Sequence, residues 1–281
     1  MASSSSSAGS PSTIRLREFC MDWVKDGSIV VMIGKRNTGK SYLIRDLLSR
    51  KTDIPTAVVI SPTEQSNRFY SDMIPPLFIH DEYSSGVVEK LVARQKKMKK
   101  ESMRDPGVDG RCIFIMDDCL YDSSAWSKDK RIREIFMNGR HFNITYVLAA
   151  QYGLPCPPQL RSQIDYVFLL RESIMRNKKI LFENFAGMFN SFEVFNSVMN
   201  QVCQDHNCLV IHMNSSSDRL EDQVFWYKAR EQPPFTLCSR EMWDLSNAHM
   251  EAERSDSDED LPYDPNAPKK NQRRVTVKKV A

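Results

Sequence analysis

Five short apolar runs, at residues 29–33, 57–61, 112–116, 145–150 and 166–170, recur along the chain with polar or amphipathic stretches between them. Runs of this length, rich in Val, Ile, Tyr and Phe and lacking a polar alternate face, read as strands buried on both sides. The stretches between them carry helical spacing, as in YLIRDLLSR after the first run and VVEKLVARQ between the second and third. This alternation predicts an α/β fold, a three-layer α/β/α sandwich around a mostly parallel central sheet. Runs at 209–213 and 223–227 follow two helical pieces within residues 182–202 and predict added antiparallel or edge strands. No apolar stretch approaches 18 residues, so neither a membrane span nor a secretory leader is expected.

With 281 residues, the chain has length for one sizeable α/β domain with tails. Residues 1–13, MASSSSSAGSPST, lack the apolar content to order themselves, and the domain is expected over 14–250. Residues 251–281 form an acidic block followed by a basic one, which predicts a disordered tail. A net charge of +3 does not by itself announce a nucleic-acid binder. The seven cysteines are scattered through strand-like runs, which suits buried thiols in a reducing compartment better than a disulfide framework. Cys203, His206, Cys208 and His212 have a superficial zinc spacing, but they flank a strand-like run and read as core and surface residues.

Candidate chemistry begins where the first strand ends. IVVMIGKRNTGKS, starting at Ile29, runs an apolar strand into a G-x-x-x-x-G-K-S loop followed by a helix. Gly34, Lys35, Arg36, Asn37, Thr38, Gly39, Lys40 and Ser41 are the expected cradle for a nucleotide polyphosphate. Gly34 and Gly39 are expected to take positive φ so that amide N–H groups converge on the anion. Lys40 would reach the β- and γ-phosphates, and the Ser41 hydroxyl would ligate magnesium. RCIFIMDDC ends the third strand in two carboxylates: Asp117 as a magnesium partner and Asp118 where a water-polarising acid is needed. Gln151 ends the next strand, at the sheet edge where open α/β folds place ligands, and is a candidate γ-phosphate sensor. Arg140 precedes that strand, at the end of the sheet opposite its own nucleotide. It suits an arginine acting on a neighbouring subunit, or else a surface ion pair with an acid such as Glu134. Arg161, after QYGLPCPPQL, is a second candidate for phosphate or inter-subunit contact.

The three blocks GKRNTGKS, IFIMDDC and NGRHFNITYVLAAQYGLPCPPQLRSQIDYVFLL together resemble the poxvirus-type DNA packaging ATPases of nucleocytoplasmic large DNA viruses, in the FtsK/HerA superfamily of P-loop ATPases. The resemblance spans about residues 15–228. It implies ATP and Mg2+ as cofactors, with Lys40, Ser41 and Asp117 at the ATP and magnesium positions, Gln151 as the strand-end sensor and Arg140 acting across subunits. It implies a homo-oligomeric ring, hexameric or pentameric, that moves double-stranded DNA by its phosphates and meets capsid proteins in the host cytoplasm or virion. Asp118 departs from the glutamate of the cellular pumps, which leaves open the identity of the water-activating group. Residues 96–100 and 176–179 are basic candidates for DNA contact. The rival reading is a nucleotide-binding regulator or scaffold that pumps nothing.

Overall fold

The computed structural model describes residues 13–119, 123–151 and 157–257. Residues 1–12, residues 120–122, the start of the proline-rich turn at 152–156 and the tail beyond 257 lie outside the described residues. The strands are β1 (Arg17–Glu18), β2 (Ile29–Ile33), β3 (Ala57–Ile60), β4 (Ile79–His80), β5 (Cys112–Asp117), β6 (Ile144–Ala150), β7 (Tyr166–Leu169), β8 (Asn207–His212) and β9 (Val224–Lys228). Among the described residues they form one sheet in the order β1-β9-β8-β7-β2-β6-β5-β3-β4.

Every neighbouring pair is parallel except those made by β8, which runs antiparallel to both β7 and β9. The two late strands take the antiparallel alternative expected of them and lie just inside the two-residue edge strand β1. The edges are the two-residue strands β1 and β4, which were not legible as apolar runs because their side chains are exposed or half-buried. An edge strand needs only one neighbour and little burial, so it leaves little hydrophobic signature.

The longer helices are α1 (Lys40–Ser49), α3 (Ser85–Arg104), α5 (Lys130–Asn138), α7 (Met175–Phe185), α8 (Phe192–Val202) and α10 (Arg240–Ser257); α2 (Glu64–Asn67), α4 (Ser123–Lys128), α6 (Pro158–Arg161) and α9 (Leu220–Gln223) are short. The strands alternate faces as their period of two demands. Ile29, Val31 and Ile33 join one buried cluster with Leu91 of α3, Phe136 of α5 and Phe185 of α7. Val30 and Met32 join the other with Leu43, Ile44, Leu47 and Leu48 of α1. Two cores on two faces of one sheet make the expected three layers. Helix α10 continues through Ser257, seven residues past the expected domain boundary at 250. Its Ser246 hydroxyl accepts from the backbone N–H of Leu77, and its Trp243 indole donates to the Leu237 carbonyl. No described helix is long and apolar enough to cross a membrane.

Candidate active site

Strand β2 delivers the chain to Gly34 at its carboxyl end, and α1 starts six residues later. The intervening loop is bent by Asn37 at φ 60° and Gly39 at φ 107°. The expectation of positive φ at Gly34 is corrected: its need is space. A Cβ there would lie 2.6 Å from Thr38 Oγ1 and 2.7 Å from Leu170 Cβ, so only hydrogen fits. Thr38 Oγ1 donates to the Lys35 carbonyl at 2.7 Å and closes the turn. The Lys40 ammonium is buried and donates to the Gly34 carbonyl at 2.7 Å, across the loop it belongs to. Ser41 is exposed in the first turn of α1. Lys35 turns sideways onto the buried carboxylate of Glu172 at 2.7 Å.

Strand β6 lies between β2 and β5, so the ends of all three strands meet. Asp117 ends β5 and is buried; its Oδ2 accepts from the Tyr70 hydroxyl at 2.9 Å. Burial first, and then the neighbouring Asp118 charge, push its carboxyl up to about 6 against the opposing influence of Tyr70 and Lys40. Asp118 turns the backbone into the left-handed region at φ 53°. Its Oδ2 accepts from Gln151 Nε2 at 3.0 Å. Its Oδ1 is buried without a hydrogen bond, with the Lys40 ammonium 3.6 Å away. The phosphate loop, the acidic strand end and the glutamine strand end, separated by up to 117 residues in sequence, thus form one connected group.

The phosphate loop and the acidic strand end open on a cavity of about 740 Å³ lined by Lys35, Arg36, Asn37, Gly39, Lys40, Ser41, Asp117 and Asp118, with Gln151 outside its lining. Residues the sequence did not assign to phosphate chemistry complete it: Tyr42, Thr63, Asn67, His206, Lys228, Ala229 and Glu231. Tyr70 was missed as well. It is placed by Glu64, whose carboxylate accepts from the backbone N–H groups of Tyr70 and Ser71. Of the cysteine and histidine group, Cys203 and Cys208 are buried, and His212 stacks on Tyr166 with ring centroids 4.7 Å apart. Only His206 of that set reaches the cavity.

Arg140 lies in a short turn, Gly139–Phe142, at the amino end of β6. Its partner is Asp165, at 2.6 Å, and not Glu134. Glu134 is taken by Lys96 at 2.5 Å and Arg131 at 2.9 Å. Asp165 also accepts from the backbone N–H of Ile29 and from Asn214 Nδ2. Arg161 ends α6, before the amino end of β7. Among the basic candidates for DNA, Lys96 is thus engaged within the chain. Lys178 is buried against Asn196 and Asn200, which leaves Arg176 and Lys179 as the exposed members of that segment.

A mostly parallel sheet with helices on both faces, and a phosphate loop and acidic strand end converging at its carboxyl edge, define a P-loop α/β/α fold. Solved structures of the genome packaging NTPase B204 from Sulfolobus turreted icosahedral virus 2 share this fold. The AMP complex gives a TM-score of 0.52 at 18% identity over 74% of this chain and 100% of that one, and the AMPPCP complex gives 0.51 over 73% and 100%. No protein-family model matches the sequence. Protein L437 of Acanthamoeba polyphaga mimivirus is 39% identical over 242 residues, 85% of each chain. Protein 075L of Invertebrate iridescent virus 6 is 41% identical over 205 residues, 72% of this chain and 77% of that one. The chain belongs to the family of large-DNA-virus proteins that includes L437 and 075L.

Proposed function

We propose that the protein is a magnesium-dependent ATPase that works as a homo-oligomeric ring and drives double-stranded viral DNA into a capsid. The observation that carries the reading is the chain of contacts from Lys40 and Asp118, which line the cavity, to Gln151 behind Asp118. Three elements that each suit phosphate chemistry meet there. Support of a coarser kind comes from the fold shared with a protein described as a genome packaging NTPase and from relatives in large DNA viruses.

The residues fit a magnesium ion. Asp118 Oδ1 is a buried anionic oxygen lacking a hydrogen-bond donor, Asp117 is a second carboxylate beside it, and the Ser41 hydroxyl is exposed near the same cavity. Among the described residues no cluster of three or more His, Cys, Asp or Glu side chains is suited to a metal. That agrees with magnesium in nucleotide sites, which is held by one or two protein groups together with phosphate oxygens. Ser41 and Asp117 would hold it, and it would neutralise charge on the β/γ oxygens.

Loop amides and Lys40 would bind the polyphosphate, with Lys40 exchanging the Gly34 carbonyl for a phosphate oxygen. Asp118, oriented by Gln151, would accept a proton from the attacking water, and Gln151 would sense the γ-phosphate. Arg140 sits beyond the far end of the five-residue β2, about 17 Å of strand from the loop, so its catalytic use would be on a neighbour's nucleotide. DNA would be gripped by its phosphates, with Arg176 and Lys179 as candidates.

The test is ATP turnover measured against protein concentration and particle mass, with and without double-stranded DNA. Turnover is expected to rise with assembly and with DNA, and Lys40→Ala is expected to abolish it with unchanged circular dichroism. Arg140→Ala rings should lose on the order of 10³-fold. Rings mixed from the two variants should regain part of the rate, because each supplies what the other lacks. No regain in rings verified as mixed overturns the role of Arg140, and a concentration-independent rate overturns the ring.

A further inference from the structure

Asp46, on the helix that follows the phosphate loop, is completely buried and has no part in phosphate chemistry. Its carboxylate accepts from the Tyr227 hydroxyl at 2.6 Å, the Arg230 backbone N–H at 2.8 Å and Gln232 Nε2 at 2.9 Å. Arg50 Nε stands 3.8 Å away. Three donors from the end of β9 and the segment after it therefore converge on one anion in α1, and each is a hydrogen bond to a charged group, the stronger kind. Between the anchors, Lys228, Ala229 and Glu231 line the cavity. The segment is a strap, tied to α1 at Tyr227, Arg230 and Gln232 and forming cavity wall at Lys228, Ala229 and Glu231.

A second wall comes from the turn before β8. Asp205 and His206 are both in the left-handed region, at φ 49° and 63°. Two consecutive residues there are costly for non-glycine side chains and cluster at ligand sites. The turn brings His206 over the loop: a Cβ on Gly39 would lie 3.8 Å from both Cβ and Nδ1 of His206. Tyr42, 62% exposed in the first turn of α1, adds a second ring.

Glu231 makes this half of the cavity unsuited to polyphosphate. Glu231 is an anion that would repel phosphate oxygens, whereas a carboxylate suits hydroxyl or amino donors. Ring faces suit a planar base. We infer that Tyr42, His206 and the strap at residues 228–231 form a subsite for the ribose and base of the nucleoside triphosphate, and that Asp46 is the positioning residue that holds the strap against α1. The inference rests on the nucleotide site proposed above and adds which residues distinguish a nucleotide from bare phosphate. Glu231 accepts from ribose hydroxyl or base amino groups, Lys228 donates to base acceptors, and the His206 and Tyr42 rings border the base.

Calorimetric titration of ATP and of inorganic tripolyphosphate, each with magnesium, separates the two halves. The unaltered protein is expected to prefer ATP by at least about tenfold. Glu231→Ala and His206→Ala should each weaken ATP by about three- to tenfold and leave tripolyphosphate within about twofold. Tyr227→Phe keeps the ring and removes one of the three anchoring bonds to Asp46. It should shift the same ratio in the same direction, which a loss of general stability would not do. Equal affinity for ATP and tripolyphosphate in the unaltered protein overturns the subsite, as does parallel loss of both ligands in the variants. Failure of the unaltered protein to bind either ligand overturns the nucleotide site itself, and the subsite with it.

Discussion

The two ends of the sheet are built from similar side chains to opposite effect. At the amino end the charges are matched. Arg140 meets Asp165, Lys51 meets Asp26, and Arg111 meets Asp26, Asp53 and Asp109, at 2.6 to 3.0 Å. Asp109 is held below its ordinary range by the Arg111 hydrogen bond. At Asp26, Lys51 and Arg111 outweigh burial with the same result. At the carboxyl end, Asp117 is pushed up by burial, Asp118 keeps an unbonded oxygen, and Asn37 and Asp118 sit in the left-handed region. A carboxyl pushed up by burial and a buried carboxylate oxygen without a hydrogen-bond donor are the marks of a surface that a ligand completes.

Glycines test this contrast most severely. Gly34→Ala drives a methyl group into Thr38 Oγ1 and Leu170 Cβ at the carboxyl end, so the loop must move. ATP and tripolyphosphate affinity should both fall by more than about a hundredfold, with about 1–3 kcal/mol lost in stability. Gly27, at the amino end, has φ 80° and its nearest neighbours, Arg140 Cα and Cγ, at 3.4 Å. Gly27→Ala should cost on the order of 1 kcal/mol in urea unfolding and leave nucleotide affinity within about twofold. Equal binding losses in the two variants would erase the distinction between the ends.

What the sequence disclosed follows the same division. Lys40, Asp117, Asp118 and Gln151 were legible because each ends a strand or opens a helix in a sequence-local pattern, and the fold brings them together. His206 and Glu231 were not, because β7, β8 and β9 must first be arranged beside β2 before either faces the loop. Tyr70 reaches Asp117 from the segment after β3 through the Glu64 brace, and no spacing announces that. Arg140 was legible as a residue but not in its partner. Asp165 begins the strand on the other side of β2, while the nearer Glu134 answers to Lys96 and Arg131.

Titration separates the two ends by sign. The Asp117 carboxyl rises from 3.8 to about 6 in the folded protein, equivalent to about 3 kcal/mol. Because the folded state holds that proton more tightly, the contribution is fully present below pH 3.8 and is lost as pH rises through about 6. Asp26 and Asp109 act in reverse: lowered in the folded state, they stabilise above 3.8, and that stability is lost as pH falls through their folded values. In magnesium-free buffer, Asp117→Asn should flatten the decline in urea midpoint between about pH 4 and 6, whereas Asp26→Asn should alter only the more acid limb. An unchanged slope in Asp117→Asn would mean that the carboxyl end stores no such penalty.

Arg111→Ala probes the matched end with the smallest expected effect. The guanidinium reaches three carboxylates, but its side chain is 29% exposed and those of Asp26, Asp53 and Asp109 are 35%, 66% and 39% exposed. Solvent screens each pair, so the network should be worth about 1 kcal/mol, more than an isolated surface pair and less than a buried one. The variant should melt a few degrees lower, and the difference should shrink in about 1 M salt, where the Debye length falls to about 3 Å. ATP affinity should stay within about twofold, because Arg111 precedes β5 while the cavity proposed for nucleotide lies beyond its other end at Asp117. A salt-independent loss of stability would mean that Arg111 acts by packing its stem and not by charge. A matching loss of ATP affinity would mean that the two ends of the sheet are energetically coupled.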